Sequence, residues 1–215
     1  MNRHRPFIFL ATCGALSLAA EESGVPRMSA ETKAKIAEIT GASDVEGLTP
    51  EDLTTLTPVF ESIRGAPSVV VLEGLPHYGF EARVFKEEVA TKEVVPVHDY
   101  TFYKRPLEVV TNDVESLKAL SGDALSFSHF GGSKMCGGFH PDYCLVWKNG
   151  EATFQALFCL GCHEVKIYGP QIAWYGDIGK EAYEKFRSLL TKYRDQRPAS
   201  QPPKTNDLQI KKPTP

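Results

Sequence analysis

The sequence predicts an α+β fold, a mainly antiparallel sheet centred on a β-hairpin at about residues 141–159 with flanking helices. Three observations predict it. Asn149-Gly150 is the preferred pair for a two-residue hairpin turn, and it separates two stretches that alternate apolar and polar residues. Short runs rich in β-branched and aromatic residues, such as Ser68-Val69-Val70-Val71-Leu72 and Glu164-Val165-Lys166-Ile167-Tyr168, lie on both sides of it. Helical stretches with capping signals stand before and after the strands rather than alternating with each of them.

With Asn149 and Gly150 as the loop, Lys148 faces Glu151. One face of the hairpin then carries Tyr143, Leu145 and Trp147 against Ala152, Phe154, Ala156 and Phe158, a core face with the strand period of two. The other carries Asp142, Cys144, Val146 and Lys148 against Glu151, Thr153, Gln155 and Leu157. That mixed face is either wet or covered by another segment. The same register brings His140 opposite Cys159 and sets Cys136 and Gly137 near Cys162 and His163. Cys144 opposes Gln155 and lies four strand residues from Cys159, roughly 13 Å. A disulfide needs Cα atoms within about 7 Å, so these two are not expected to pair.

Taken in order, residues 1–20 have the layout of a secretory signal peptide. Arg3, His4 and Arg5 make a basic start, Phe7 to Leu18 is apolar, and Ser17-Leu18-Ala19-Ala20 ends in small residues suited to cleavage. Leu10-Ala11-Thr12-Cys13 also resembles a lipidation signal, which would make Cys13 a lipid anchor. Residues 21–66 read as a helical segment. Ser29 caps a first helix whose apolar side holds little beyond Ile36 and Ile39, and Gly41 stops it. Thr49-Pro50-Glu51-Asp52 starts a second, with Thr49 as cap and Pro50 in the first turn, and Pro58 is expected to kink or restart it. The pair is expected to form a solvated arm against the main domain.

That domain is expected over residues 67–196. Ser68 to Leu72 is a buried strand, and Gly74-Leu75-Pro76-His77 is a loop. Glu81 to Glu93 is a helix with Val84, Phe85, Val89 and Ala90 as its apolar residues. His98 to Val110 is strand-like, Thr111-Asn112-Asp113 caps a short helix from Val114 to Leu120, and Ser126 to Gly132 is a loop. After the hairpin, Glu164 to Tyr168 and Ile172 to Tyr175 are strands, and Gly179 to Tyr193 is an amphipathic helix. Residues 197–215 are rich in Pro and Lys and are expected to be a disordered tail.

Cys136, His140, Cys159, Cys162 and His163 are therefore expected to converge at the open end of the hairpin, and several chemistries compete for them. Cys159-Leu160-Gly161-Cys162-His163 is the CxxCH pattern of haem c attachment, with Cys159 and Cys162 bonded to the haem vinyls and His163 on the iron. Here, however, the pattern ends one strand and leads into another, where cytochromes c usually continue into a helix. Cys136, His140, Cys159 and Cys162 also make a Cys3His set for a structural metal such as Zn. Structural disulfides, for example Cys136 to Cys159 or Cys162, suit an exported chain, and four mature cysteines allow three connectivities. A redox-active Cys159/Cys162 pair wants a motif that opens a helix, and that context is missing.

Cys136-Gly137-Gly138-Phe139-His140-Pro141-Asp142-Tyr143 and Cys159-Leu160-Gly161-Cys162-His163-Glu164, with Glu73-Gly74-Leu75-Pro76-His77 and the closing Ala182-Tyr183 helix, resemble a family of uncharacterised exported bacterial proteins. The resemblance covers about residues 67–197. It implies the domain boundaries and the importance of the Cys/His group, and it implies no reaction. To cytochromes c the chain is similar only across the five-residue motif.

Among the other histidines, His77 and His129 sit in loops and are ordinary candidates for solvation or hydrogen bonding. Asp142 is a candidate to orient His140 or to cap the turn, and Glu164 an acid or base, or an exposed strand residue. No nucleophile elbow, phosphate-binding glycine loop, HExxH or carboxylate pair is present, so no enzyme chemistry is named. With 24 basic and 27 acidic residues interspersed, the charge of −3 gives no reason to expect nucleic acid as partner. No run after the leader is long and apolar enough for a transmembrane segment. The expectation is an exported domain, periplasmic or extracellular: a binding or structural module whose Cys/His group holds a metal or disulfide. The alternatives are a haem electron-transfer protein using Cys159, Cys162 and His163, and a hydrolase or thiol enzyme at the same place.

Overall fold

The computed structural model describes residues 47–132 and 137–198. The leader with Cys13, the helix expected from Ser29, Cys136 and the tail beyond residue 198 lie outside them. The chain runs through α1 (Pro50–Arg64), β1 (Val69–Glu73), α2 (Ala82–Thr91), β2 (Val94–Val97), β3 (Tyr100–Tyr103) and α3 (Thr111–Ser121). It continues through β4 (Phe127–His129), β5 (Tyr143–Asn149), β6 (Ala152–Cys159), β7 (Glu164–Gly169), β8 (Ile172–Ile178) and α4 (Lys180–Thr191). Six strands form an antiparallel sheet in the order β1-β5-β6-β7-β8-β4, and β2 and β3 form a separate two-stranded sheet. This is the α+β architecture expected.

The hairpin ladder is displaced from the expected one. Asn149 pairs with Ala152 and Lys148 with Thr153, so the loop residues are Gly150 and Glu151, with Gly150 at φ 58°. Asn149 completes the ladder, and the glycine supplies the positive φ that the turn requires. The partners move by two positions along β6, and a shift of two preserves which face each side chain occupies. Cys144 consequently opposes Leu157 rather than Gln155. Tyr143, Leu145, Trp147, Phe154, Ala156 and Phe158 fill the main core, as the alternation implies.

Three helices cover that face. Leu56, Val59, Phe60 and Ile63 of α1, Leu117 of α3, and Phe186 and Leu190 of α4 pack into the same cluster. The expectation of a solvated arm is corrected here: α1 continues through Pro58 and buries the stripe at positions 53, 56, 59/60 and 63 in the central core. Its N-terminus is fastened as well as capped. The Asp52 carboxylate accepts from Thr49 N in a capping box, from Trp174 Nε1 on β8 at 2.7 Å, and lies 2.8 Å from His129 Nδ1 on β4.

The mixed face of the hairpin is covered too. Leu72, Cys144, Leu157, Cys159 and Cys162 form a second core with Val97 and Phe102 of the β2–β3 sheet and Phe139 of the loop before β5. Where β1 ends, Gly74 N donates to Asp142 O at 2.7 Å, and a Cβ on Gly74 would stand 2.0 Å from Pro141 O. Only glycine permits this approach, which presses the Leu75–His77 loop onto residues 140–142. No described helix is long and apolar enough to cross a membrane.

Because Leu56 is fully buried between α1 and the sheet, Leu56→Ala should lower the unfolding free energy by about 3 kcal/mol. Chemical denaturation checks this; a loss below about 1 kcal/mol would mean that α1 is peripheral after all.

Candidate functional site

The end of β1 with the Leu75–His77 loop, the segment before β5 and the turn between β6 and β7 meet at one corner of the sheet. His140 is buried, and its Nε2–H donates to Leu75 O at 2.8 Å, so one loop's histidine holds the other loop's backbone. Its ring lies 4.7 Å, centroid to centroid, from that of His77. His77 Nδ1 accepts from Gly79 N (3.0 Å) and Phe80 N (3.2 Å), which places its proton on Nε2; that atom is buried without a hydrogen-bond partner. Burial pushes both imidazoles below the usual histidine range. At His140 the nearby Asp142 opposes that push, and Arg197 and His77 add to it; at His77, Glu81 opposes it and Arg197 adds to it.

Cys159 closes β6 beside them. Burial, the largest effect, pushes its thiol up to about 11, against the opposing pull of the backbone of His140 and Cys162. Cys159 and Cys162 share the second core with Phe139, the neighbour of His140 in the chain. Cys144 is a free thiol like Cys159, buried and pushed above the usual range, consistent with the expectation that the two do not pair. Among the described residues no group of three or more His, Cys, Asp or Glu surrounds a metal position. Of the four metal candidates, Cys136 lies outside the described residues, His140 spends Nε2 on Leu75, and Cys159 and Cys162 line the second core.

His163 departs from the group. It occupies the turn between β6 and β7 at φ 59°, is exposed, and stacks on Tyr183 of α4 with ring centroids 3.7 Å apart. The CxxCH pattern is thus a strand-to-strand turn, with both cysteines buried and the histidine stacked on a helix. Glu164 is not the exposed strand residue that was one expectation. It is 2% exposed and accepts from Tyr175 Oη at 2.8 Å. Asp142 does not bond the His140 ring: Oδ2 accepts from Leu160 N at 2.8 Å and Oδ1 from Arg197 Nη1 at 2.8 Å.

Arg197 is the residue that sequence reasoning missed most plainly. Placed at the start of the expected tail, it instead lies under the corner, its side chain 11% exposed, bridging Asp142 and Glu81 (2.7 Å). Glu73, 1% exposed, accepts the backbone N–H groups of Asp195 (3.2 Å), Gln196 (2.9 Å) and Arg197 (3.1 Å). Residues 195–197 therefore pack on the domain. A buried carboxylate on an otherwise apolar strand was the available signal, since such a group requires donors from elsewhere.

At the edge of this corner lies a cleft of about 590 Å³. Tyr78, Phe139 and His140 contribute from the loops, Asp99 and Tyr100 from the β2–β3 hairpin, Phe85 from α2, and Lys166 and Tyr175 from the sheet. Lys166 Nζ donates to Tyr100 Oη at 2.7 Å and lies 5.2, 4.9 and 5.0 Å from the ring centroids of Tyr100, Phe139 and Tyr175. Alternation along β7 shows that Lys166 shares a face with Glu164 and Tyr168, but not that this face is enclosed. No protein-family model, curated protein or solved structure matches this chain.

Between their depressed folded values and the ordinary 6.5, His77 and His140 bind fewer protons folded than unfolded. Stability should therefore rise with pH in that window and be lost on acidification below about pH 6.5. Burial alone would raise the Glu81 carboxyl, but the His77 N–H and the Arg197 guanidinium outweigh it and hold it low, adding a further loss below about 4.5. Urea titrations from about pH 7.5 to 4 check both; a flat profile would contradict neutral, buried imidazoles. Arg197→Ala should cost about 2–3 kcal/mol, because it strands two partly buried carboxylates. Arg105→Ala, which removes an exposed pair with Asp195 (side chains 58% and 52% exposed), should cost under about 0.5 kcal/mol.

Proposed function

We propose that this chain is an exported ligand-binding module, in which the Cys/His group is a structural staple and the aromatic cleft beside it is the binding surface. The carrying observation is where the polar atoms of the two neighbourhoods are directed. His140 bonds Leu75, Cys159 and Cys162 are buried in the second core, and Asp142 takes Leu160 and Arg197, so the polar contacts tie one loop to another. The groups of the cleft instead present aromatic surface and an ammonium to an open space. Concave sites of this size with a few placed polar groups are the usual form of small-ligand sites.

The staple is assigned to a disulfide between Cys136 and Cys162. Cys144 and Cys159 are free thiols, whereas Cys162 is bonded. The Cys162 sulfur lies 3.9 Å from Gly138 O, and Gly138 is two residues from Cys136, a span of about 7 Å at most. Export, which the leader-like residues 1–20 favour, supplies the oxidising compartment. A sulfur held in a disulfide is closed both to a haem vinyl and to zinc. Closing a loop of this length contributes on the order of 3 kcal/mol.

Denatured without reductant and alkylated, the mature protein should gain two groups, on Cys144 and Cys159. Uptake on Cys136 and Cys162 without reduction, or a covalent haem mass, would overturn the staple. A fragment screen followed by amide chemical shifts should place hits at Tyr100, Lys166 and Tyr175; hits confined to other surfaces would remove the binding reading.

A further inference from the structure

We infer that the cleft takes a small aromatic monocarboxylate, its carboxylate on Lys166 Nζ and its ring among Tyr78, Tyr100, Phe139 and Tyr175. This rests on the binding reading above and adds the ligand's chemistry. The argument begins with the position of Lys166 in the sheet. Cross-strand pairing lines up Leu72, Cys144, Leu157, Lys166 and Tyr175 in one row across β1, β5, β6, β7 and β8. Lys166 is the single charged member of a row whose other side chains pack in or against the second core.

An ammonium drawn into such a row loses hydration, and packing alone would be better served by an aliphatic residue. Three rings near 5 Å compensate part of that loss. The charge has no carboxylate partner: none of the ion pairs among the described residues includes Lys166. Of its three N–H donors, one is directed at Tyr100 Oη. The remainder are available to an acceptor entering the cleft that Lys166 lines.

The surroundings restrict what that acceptor can be. Asp99 lines the same cleft, and Glu164, two residues before Lys166 on the same strand face, is buried with Tyr175 Oη donating to it. Asp99 in the lining and Glu164 on the same strand face disfavour a doubly charged anion such as a phosphate ester, and burial, which lowers the His140 pKa, disfavours a second cation there. A single carboxylate fits this balance. Aromatic walls favour a flat apolar body, since ring stacking and edge contacts add to area burial there.

The test uses the exported, oxidised chain and three probes of nearly one shape: 3-phenylpropionate, its neutral amide 3-phenylpropanamide, and the cation 2-phenylethylamine. Calorimetry with chemical-shift mapping should show 3-phenylpropionate binding at Tyr100, Lys166 and Tyr175, with the amide at least roughly tenfold weaker. Lys166→Met should lower the carboxylate's affinity by at least roughly tenfold while leaving the unfolding midpoint unchanged or raised. Lys166→Gln, which keeps a polar but uncharged end group, carries the same comparison if the Met variant does not fold. Equal binding of amide and carboxylate, preference for the amine, or unchanged affinity in either variant would overturn the ligand class and leave a binding cleft standing. Binding of none of the three at the cleft would overturn the class, and an empty fragment screen there would then overturn the binding reading with it.

Discussion

The structure depends on β5 and β6 being buried on both faces. A central antiparallel hairpin with Tyr143, Leu145, Trp147 and Phe158 on one side and Cys144 and Leu157 on the other leaves neither side to water. Each face requires its own cover. Three helices supply one, and the thin β2–β3 sheet with the loop before β5 supplies the other. The covers differ in kind. The helical side is a continuous apolar cluster, whereas the second side is smaller, thiol-rich and bordered by charged groups.

That second side is held at its edge by polar contacts more than by hydrophobic area. Gly74 and Asp142 join two loops through backbone, His140 and Leu75 join them through a side chain, and the chain leaving α4 returns to bond Glu73 and insert Arg197. The carboxylate of Glu73 can remain buried because three successive N–H groups converge on it. Such contacts are individually modest while complete and costly when one partner is removed. They fix the loops that form one wall of the cleft, so the positioning of the cleft and the integrity of the corner are one mechanical problem.

The same arrangement accounts for the separation of roles between the cysteines and the lysine. Cys144 and Cys159 lie among apolar side chains that disfavour the thiolate, the form needed for nucleophilic or metal chemistry. Lys166 shares a row with Cys144 and lies one row from Cys159 on the same face, but at the open border, where aromatic faces stabilise its charge without neutralising it.

What the sequence by itself determined is local and periodic. The α+β class, the hairpin, the core face of β5 and β6, the Thr49–Asp52 cap and the amphipathic α4 were all legible, because alternation, capping and turn chemistry act within a few residues. So was the nearness of the segment before β5 to Cys159 and Cys162, since a hairpin carries its strand ends together. Tertiary structure decided what depends on segments far apart in the chain. Nothing near residue 58 shows that α1 enters the central core, nothing near residue 197 shows that an arginine will meet Glu81 and Asp142, and nothing in β7 shows that the β2–β3 hairpin will set Tyr100 beside Lys166. Local patterns tell which face of an element is apolar; which other element covers it follows from the packing of the whole chain, where burial of a charge is decided by partners that sequence distance conceals.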